Sequence, residues 1–280
     1  MSSVTPLEHT VIGGIAGFTE VCVMQPTIAI KNALQQGRPI PMSPSVLYRG
    51  LAINSAATFP ITAVQFGVNR FLEKLHQTQT GTNPGSLATM GIAMTAGATS
   101  GFIGCPAELL MIQQQKTGLS LAGQFKELVR TFGVSKIYKG LPSTMMRESL
   151  YTAGYLGVAP LLKTTLREHE AFEGMPGAAA LAAGVSAGIL ATVTSHPADT
   201  IKTRMQAFPD NKAHPEYASF VSTTRHILAT EGVQGFFAGV LPRTFRLIGA
   251  VFILGGIRTA LVDAVEDYRY DHGLLPEKLE

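Results

Sequence analysis

Long stretches almost free of charged residues alternate along this chain with shorter, charge-rich ones. Six charge-poor stretches stand out, at 10–35, 50–69, 86–115, 142–162, 177–206 and 239–261. Each runs to about 20 residues or more, the length a helix needs to cross a hydrocarbon core of about 30 Å. They are not uniformly greasy, because Gly, Ala, Ser and Thr are dense within them and several hold a charge. Small residues let helices approach closely inside a bundle, and a charge within a membrane turns toward an interior or a water-filled cavity. The pattern therefore predicts six packed transmembrane helices rather than a single anchor.

Composition agrees. Of 280 residues, 46% are hydrophobic and only 15% charged, against about a quarter charged in soluble domains. The net charge of +3 offers no basic excess for nucleic acid, and its distribution is more informative than its sum. The segments 31–49, 116–139 and 202–235 together hold 12 Lys or Arg against 4 acids, whereas the other loops and tails hold 6 basic and 11 acidic residues. By the positive-inside tendency the three basic loops share one side and both termini the other. Cys22 and Cys105 form neither a disulfide framework nor a zinc pattern. The start, MSSVTPLEH, lacks the features of a secretory or transit peptide, so targeting is expected to be internal.

The chain also repeats itself. Gln25-Pro26-Thr27-Ile28-Ala29-Ile30-Lys31, Cys105-Pro106-Ala107-Glu108-Leu109-Leu110-Met111 and His196-Pro197-Ala198-Asp199-Thr200-Ile201-Lys202 align without gaps, and a glutamine follows nine residues after each proline, at Gln35, Gln115 and Gln206. A glycine lies nine residues before each proline (Gly17, Gly97, Gly188), with another four residues earlier at Gly13 and Gly184. Each stretch is followed by aromatic-x-Gly: Tyr48-Arg49-Gly50, Tyr138-Lys139-Gly140 and Phe237-Ala238-Gly239. Repetition at this spacing makes three tandem two-helix units, 1–80, 81–172 and 173–280. Pro26, Pro106 and Pro197 are expected to kink their helices, and the Gly-xxx-Gly faces to pack tightly on a neighbour.

Pro-x-acid-x-x-base-x-base, present three times with aromatic-x-Gly after it, resembles the mitochondrial carrier family of solute transporters over essentially the whole chain. Asp199, Lys202, Arg204 and Gln206 match the family motif fully and the other two copies match it in part. The resemblance implies an all-α membrane protein: six transmembrane helices in a threefold pseudosymmetric barrel with short matrix surface helices. It further implies the mitochondrial inner membrane, both termini toward the intermembrane space, and alternating access through a central cavity. No cofactor or metal is implied; the partners are a small-molecule solute and membrane lipid, with cardiolipin at the matrix-side helix ends as the candidate.

Carried over by position, the resemblance pairs Asp199 with Lys31 and Glu108 with Lys202 as a matrix gate, while the third pair falls on Ile28 and Met111. Both members of that pair are apolar, as expected of touching positions where a lone buried charge would cost several kcal/mol. Gln35, Gln115 and Gln206 take the position that braces these links. At the opposite end the family's acid and base slots fall on Asn69 to Glu73, on Ala159, Pro160 and Lys163, and on Ile257, Arg258 and Leu261, with the signs of Arg70 and Glu73 reversed. Two readings stay open there, an inverted Arg258 to Glu73 pair or interface residues reaching for water.

Arg147 and Glu148 match the family's second contact point and Arg246 the third; the first, near Ala57, is uncharged. An Arg beside an acid resembles members that carry amino acids, one group meeting a carboxylate and the other an ammonium. Tyr151, one turn beyond, is expected on the same face. Glu20 is either a polar helix contact or a ligand, and Arg243 is placed at the matrix boundary. With no catalytic grouping, P-loop or EF-hand, an enzyme is not expected. Solute transport is the leading reading, with a small carboxylate or amino-acid-like substrate. The alternative is a transport-inactive subunit of an inner-membrane complex, suggested by the altered outer gate and the short proline-rich segment Arg38-Pro39-Ile40-Pro41-Met42-Ser43-Pro44.

Overall fold

The computed structural model describes residues 5–271. In chain order its helices are α1 (Pro6–Gln35), the single turn α2 (Pro44–Leu47), α3 (Leu51–Thr80), α4 (Ser86–Thr117), α5 (Leu121–Phe132), α6 (Leu141–Thr152), α7 (Ala159–Arg167), α8 (Pro176–Ala207), α9 (Phe220–Glu231) and α10 (Val240–Asp271). No strand occurs among the described residues. A wide π turn, Ala153–Val158, joins α6 to α7, so 141–167 forms the fourth span. The spans close into a ring: α1 packs on α3 and α10, α3 on α4, α4 on α6, α6 and α7 on α8, and α8 on α10. This is the six-helix barrel expected, with α5 and α9 in the basic loops.

Among the described residues, five helical stretches are long and apolar enough to cross a membrane. The fourth span falls short on its own, being divided by the π turn and carrying Arg147, Glu148 and Lys163, yet its place in the ring between α4 and α8 makes it cross with them. Several helices also outrun the charge-poor stretches. Thus α3 continues past Asn69 to Thr80, through Arg70, Glu73 and Lys74, and stops where Gly81 takes a left-handed φ of 69°. Hydrophobicity marks what lies in lipid, whereas a helix ends at a residue able to terminate it.

The repeat motifs have a shared structural cause. Gly50, Gly140 and Gly239 all adopt φ near 80° (83°, 83° and 79°), a region costly for residues with a Cβ, and each begins the second span of its repeat. The carbonyl just before each glycine is held by the side chain just before each proline. Gln25 Nε2 donates to Arg49 O (3.1 Å), Cys105 Sγ to Lys139 O (3.5 Å) and His196 Nε2 to Ala238 O (2.9 Å). Every repeat therefore fastens its first helix to the start of its second. Pro26, Pro106 and Pro197 lie inside α1, α4 and α8, each leaving one carbonyl of the preceding turn without its helical donor.

The glycine faces divide in two. A Cβ on Gly97 would run into the Glu148 carbonyl and come within 2.7 Å of Thr152 Oγ1, and one on Gly188 would meet Leu247 Cδ2 at 2.6 Å, so these are the close approaches expected. Gly13, Gly17 and Gly184 have nothing within 4 Å, contrary to the tight packing expected of them. Gly184 lines open space inside the ring, and Gly17 lies one helical turn from Glu20, which also lines it, whereas Gly188 borders the same space but is covered by the Leu247 side chain. The two classes should therefore differ in stability. Gly97→Ala is expected to cost about 1–3 kcal/mol by overpacking, and Gly13→Ala close to nothing. Thermal melts by far-ultraviolet circular dichroism, suited to a chain without tryptophan, would show equal losses if the assignment were wrong.

Candidate functional site

Where the three proline-bearing helices converge at the loop end, their side chains form one buried ionic network. Lys31 Nζ lies 2.9 Å from Asp199 Oδ2, and Lys202 Nζ lies 3.0 Å from Glu108 Oε2 and 2.9 Å from Asp199 Oδ1. Arg147 bonds Glu108 at 2.8 Å, contacts Glu148, and stands 3.7 Å from Asp199. Arg243 stands 3.6 Å from Asp199 and donates to Ser195 Oγ at 2.8 Å. Asp199 is 2% exposed and Lys202 1%, so none of these charges could stand alone.

On the third side of the triangle, Ile28 and Met111 pack with Ile53 and Leu110 in an apolar cluster. One turn further, Asn32 Nδ2 donates to Gln115 Oε1 at 2.7 Å. Of the three glutamines only Gln35 braces an ion, donating to Asp199 Oδ2 at 3.0 Å. Gln115 and Gln206 depart from the bracing expectation. Gln115 Nε2 turns to Arg49 O at 3.3 Å, and Gln206 Nε2 to the carbonyls of Cys105 and Lys139, both at 3.3 Å. For Gln115 there is no charge at Ile28 or Met111 to brace; for Gln206 the backbone around Gly140 offers acceptors. Arg204 seals the rim, donating to Gln35 O (2.9 Å) and holding the Glu231 carboxyl below its usual pKa by hydrogen bonding.

Above the network lies a cavity of about 490 Å³ lined by five of the six spans. A smaller one of about 90 Å³ sits within the network, and Arg147, Arg243 and Arg246 wall both. Arg243 thus belongs to the interior and not to the matrix boundary, because the helical turn after Pro242 aims it at Asp199. Tyr151 lines the larger cavity with its ring centroid 5.9 Å from the Arg243 guanidinium. Glu20 lines it too, with Arg246 Nη2 3.2 Å away. Ala57 is not among the lining residues. The inward face of α3 carries Asn54, Thr58, Thr62 and Gln65, whereas Ala57 shares a face with Ile61, which packs toward Gly104 of α4.

Among the lining residues that the sequence did not mark, Tyr155 and Gln65 bond each other. Tyr155 Oη donates to Gln65 Oε1 at 2.6 Å, and Gln65 Nε2 donates to Ser100 Oγ at 3.0 Å and Glu148 Oε2 at 3.3 Å. The π turn carries Tyr155, and it passes close because Gly154 lies against Ala191 and Gly157 against Met90. The run Ala153-Gly154-Tyr155-Leu156-Gly157, two glycines in mid-span, was the available signal.

At the opposite end Glu73, Arg70 and Lys163 show no ion pair across helices among the described residues. Glu73 takes hydrogen bonds from Asn69 (2.8 Å) and Arg70 (3.3 Å) of its own helix, which occupies both its oxygens, and Lys163 is exposed. Arg258 lies in α10, but its side chain is outside the described residues, as is therefore its pairing with Glu73. Glu8 and Arg269, at 2.8 Å, join α1 to α10 there, a link not foreseen.

The model for mitochondrial carrier proteins matches residues 83–170 and 174–267. The chain belongs to the mitochondrial carrier family. It is 30% identical to a "Probable mitochondrial 2-oxodicarboxylate carrier" of Dictyostelium discoideum, over 86% of each chain. It is 27% identical to tricarboxylate transport protein B of Danio rerio (89% of this chain, 86% of that one) and 25% identical to mitochondrial glycine transporter B of the same fish (86% and 89%). The carrier is a solute transporter of the mitochondrial inner membrane and not an enzyme. These relatives give no support to the alternative of a transport-inactive subunit.

The geometry alters how the carrier's network should respond to mutation. Four cations share Asp199, whereas Lys31 touches only Asp199 within the network. A charge swap between the two would set a lysine among three remaining cations and rescue nothing. Asp199→Asn is expected to cost about 3–5 kcal/mol, Lys31→Met clearly less, and the double mutant less than their sum. Equal single losses with full additivity in thermal melts would show the two residues to be uncoupled.

Proposed function

We propose that this carrier exchanges small carboxylates across the inner membrane by alternating access. The observation that carries the reading is the 490 Å³ cavity floored by Arg147, Arg243 and Arg246, directly above a closed ionic network. Three arginines around one cavity suit carboxylate oxygens, which accept paired N–H bonds from a guanidinium. Two of the three named relatives carry carboxylates by their names. Glu148, hydrogen-bonded to Arg147 and Gln65, orients the Arg147 fork, and Tyr151 offers a hydroxyl and a ring beside Arg243.

In this reading Lys31, Glu108, Asp199 and Lys202 form the matrix gate, with Ile28 and Met111 as its apolar third link and Gln35 as its brace. The basic loops face the matrix and both termini the intermembrane space. Substrate carboxylates compete for Arg147, which both touches the gate acids and lines the cavity; binding therefore loosens the gate from above. The three repeats, 1–80, 81–172 and 173–280, each fastened by its pre-proline side chain, move as units. The outer end, where Glu73 is held by its own helix, opens more readily than the matrix end.

Reconstituted in liposomes loaded with a dicarboxylate, the protein should exchange it for external di- or tricarboxylates, and no exchange with any carboxylate would end this reading. Arg147→Lys keeps the charge but loses the fork. Uptake per folded protein should fall about tenfold or more, as loss of a charge-assisted hydrogen bond of about 1.5–3 kcal/mol implies. Arg147→Ala is less informative because it strands Glu108 and Glu148 as well.

A further inference from the structure

Glu20 is the one acid of the interior that takes no part in the gate network. It projects from α1 into the large cavity, is only 6% exposed, and shares the cavity lining with Arg246, Leu247, Ala250 and Val251 of α10. Its partner among the described residues is Arg246, at 3.2 Å from Oε1 and 3.5 Å from Oε2. Oε1 makes no hydrogen bond, and neither does the buried Nε of Arg246. The gate carboxylates, by contrast, each hold a cation at 2.8 to 3.0 Å. A buried carboxylate that holds one cation at 3.2 Å, with no hydrogen bond to one of its oxygens, has room on the cavity wall for a further donor.

Charge balance indicates what that ligand carries. Among the described residues, Lys31, Arg147, Lys202, Arg243 and Arg246 face Glu20, Glu108, Glu148 and Asp199, leaving one excess positive charge around the two cavities. In a poorly solvated chamber the best-fitting solute neutralises that excess and so bears a net charge of −1. A dicarboxylate with one ammonium group has that charge, whereas the matching 2-oxo acid has −2. Building on the carboxylate-exchange reading above, we propose that Glu20 is an ammonium subsite: it accepts the amino group of an aminodicarboxylate whose carboxylates meet Arg246 and the Arg147–Arg243 pair. Glu20 thereby decides between amino and oxo acids of one carbon skeleton. Binding exchanges the loose Glu20–Arg246 contact for two charge-assisted bonds to the solute.

The test is uptake of radiolabelled glutamate and of 2-oxoglutarate into proteoliposomes by the wild type and Glu20→Gln. The wild type should take up glutamate, and the variant's glutamate-to-oxoglutarate ratio should fall at least tenfold. An unchanged ratio, even with both rates reduced, overturns the subsite, as does a wild type that moves 2-oxoglutarate but not glutamate; carboxylate exchange itself survives either result. A wild type that moves neither these nor any other carboxylate sinks both readings. Should Glu20→Gln fail to fold, Glu20→Asp keeps the charge but withdraws it by one methylene. It is expected to lower the same ratio, and an unaltered ratio counts against the proposal equally.

Discussion

The carboxylate of Asp199 is the point on which the structure of this carrier turns. It is buried at the convergence of α1, α4 and α8, with Lys31, Lys202, Arg147 and Arg243 around it and Gln35 donating to it. An acid in that position would be expelled or neutralised in an apolar bundle; four cations and a hydrogen bond hold it there. Because the cations come from α1, α6, α8 and α10, one carboxylate ties four of the six spans together at one end. At the other end Glu8 and Arg269 join α1 to α10. The barrel is thus shut on the loop side and hollow above it.

The network also explains why polar and charged residues make up so much of the buried interior. The covered interior is largely alanine and glycine at helix contacts, with Gln, Asn, Ser, Thr and ions at the loop end. Large hydrophobic side chains such as Phe18, Phe59, Phe71 and Phe252 point outward. A soluble domain inverts this arrangement. In lipid, tails solvate the outer phenylalanines, and association rests on close packing and polar contacts inside. The same inversion allows a chamber with arginine walls to persist within a bilayer.

Much of this was legible in the sequence because it is repeated. Three prolines in register located the odd helices, and position-by-position comparison brought together Lys31 with Asp199, Glu108 with Lys202, and Ile28 with Met111. What stayed hidden depends on the direction a side chain takes after a helix deviates from regular spacing. Tyr155 reaches Gln65 from a π turn that no periodicity announces. Arg243 was set at the boundary by its place in sequence but turns inward. Ala57 missed the cavity face by one residue, a rotation of about 100° on a helix. The pre-proline latch was visible only in retrospect, since Gln25, Cys105 and His196 share no chemistry beyond the ability to donate one hydrogen bond.

The central claim is that the cavity opens on the side of the termini while the ionic network closes it toward the basic loops, and that solute reverses this. The most direct measurement is two-sided labelling of Thr62→Cys, a cavity-wall position, in an oriented, otherwise cysteine-free protein with Cys22 and Cys105 replaced. A membrane-impermeant maleimide should modify it from the termini side alone in the absence of solute. With transported carboxylate present it should become reactive from the loop side as well. Labelling from the loop side without solute, or none from that side even during exchange, would contradict the account.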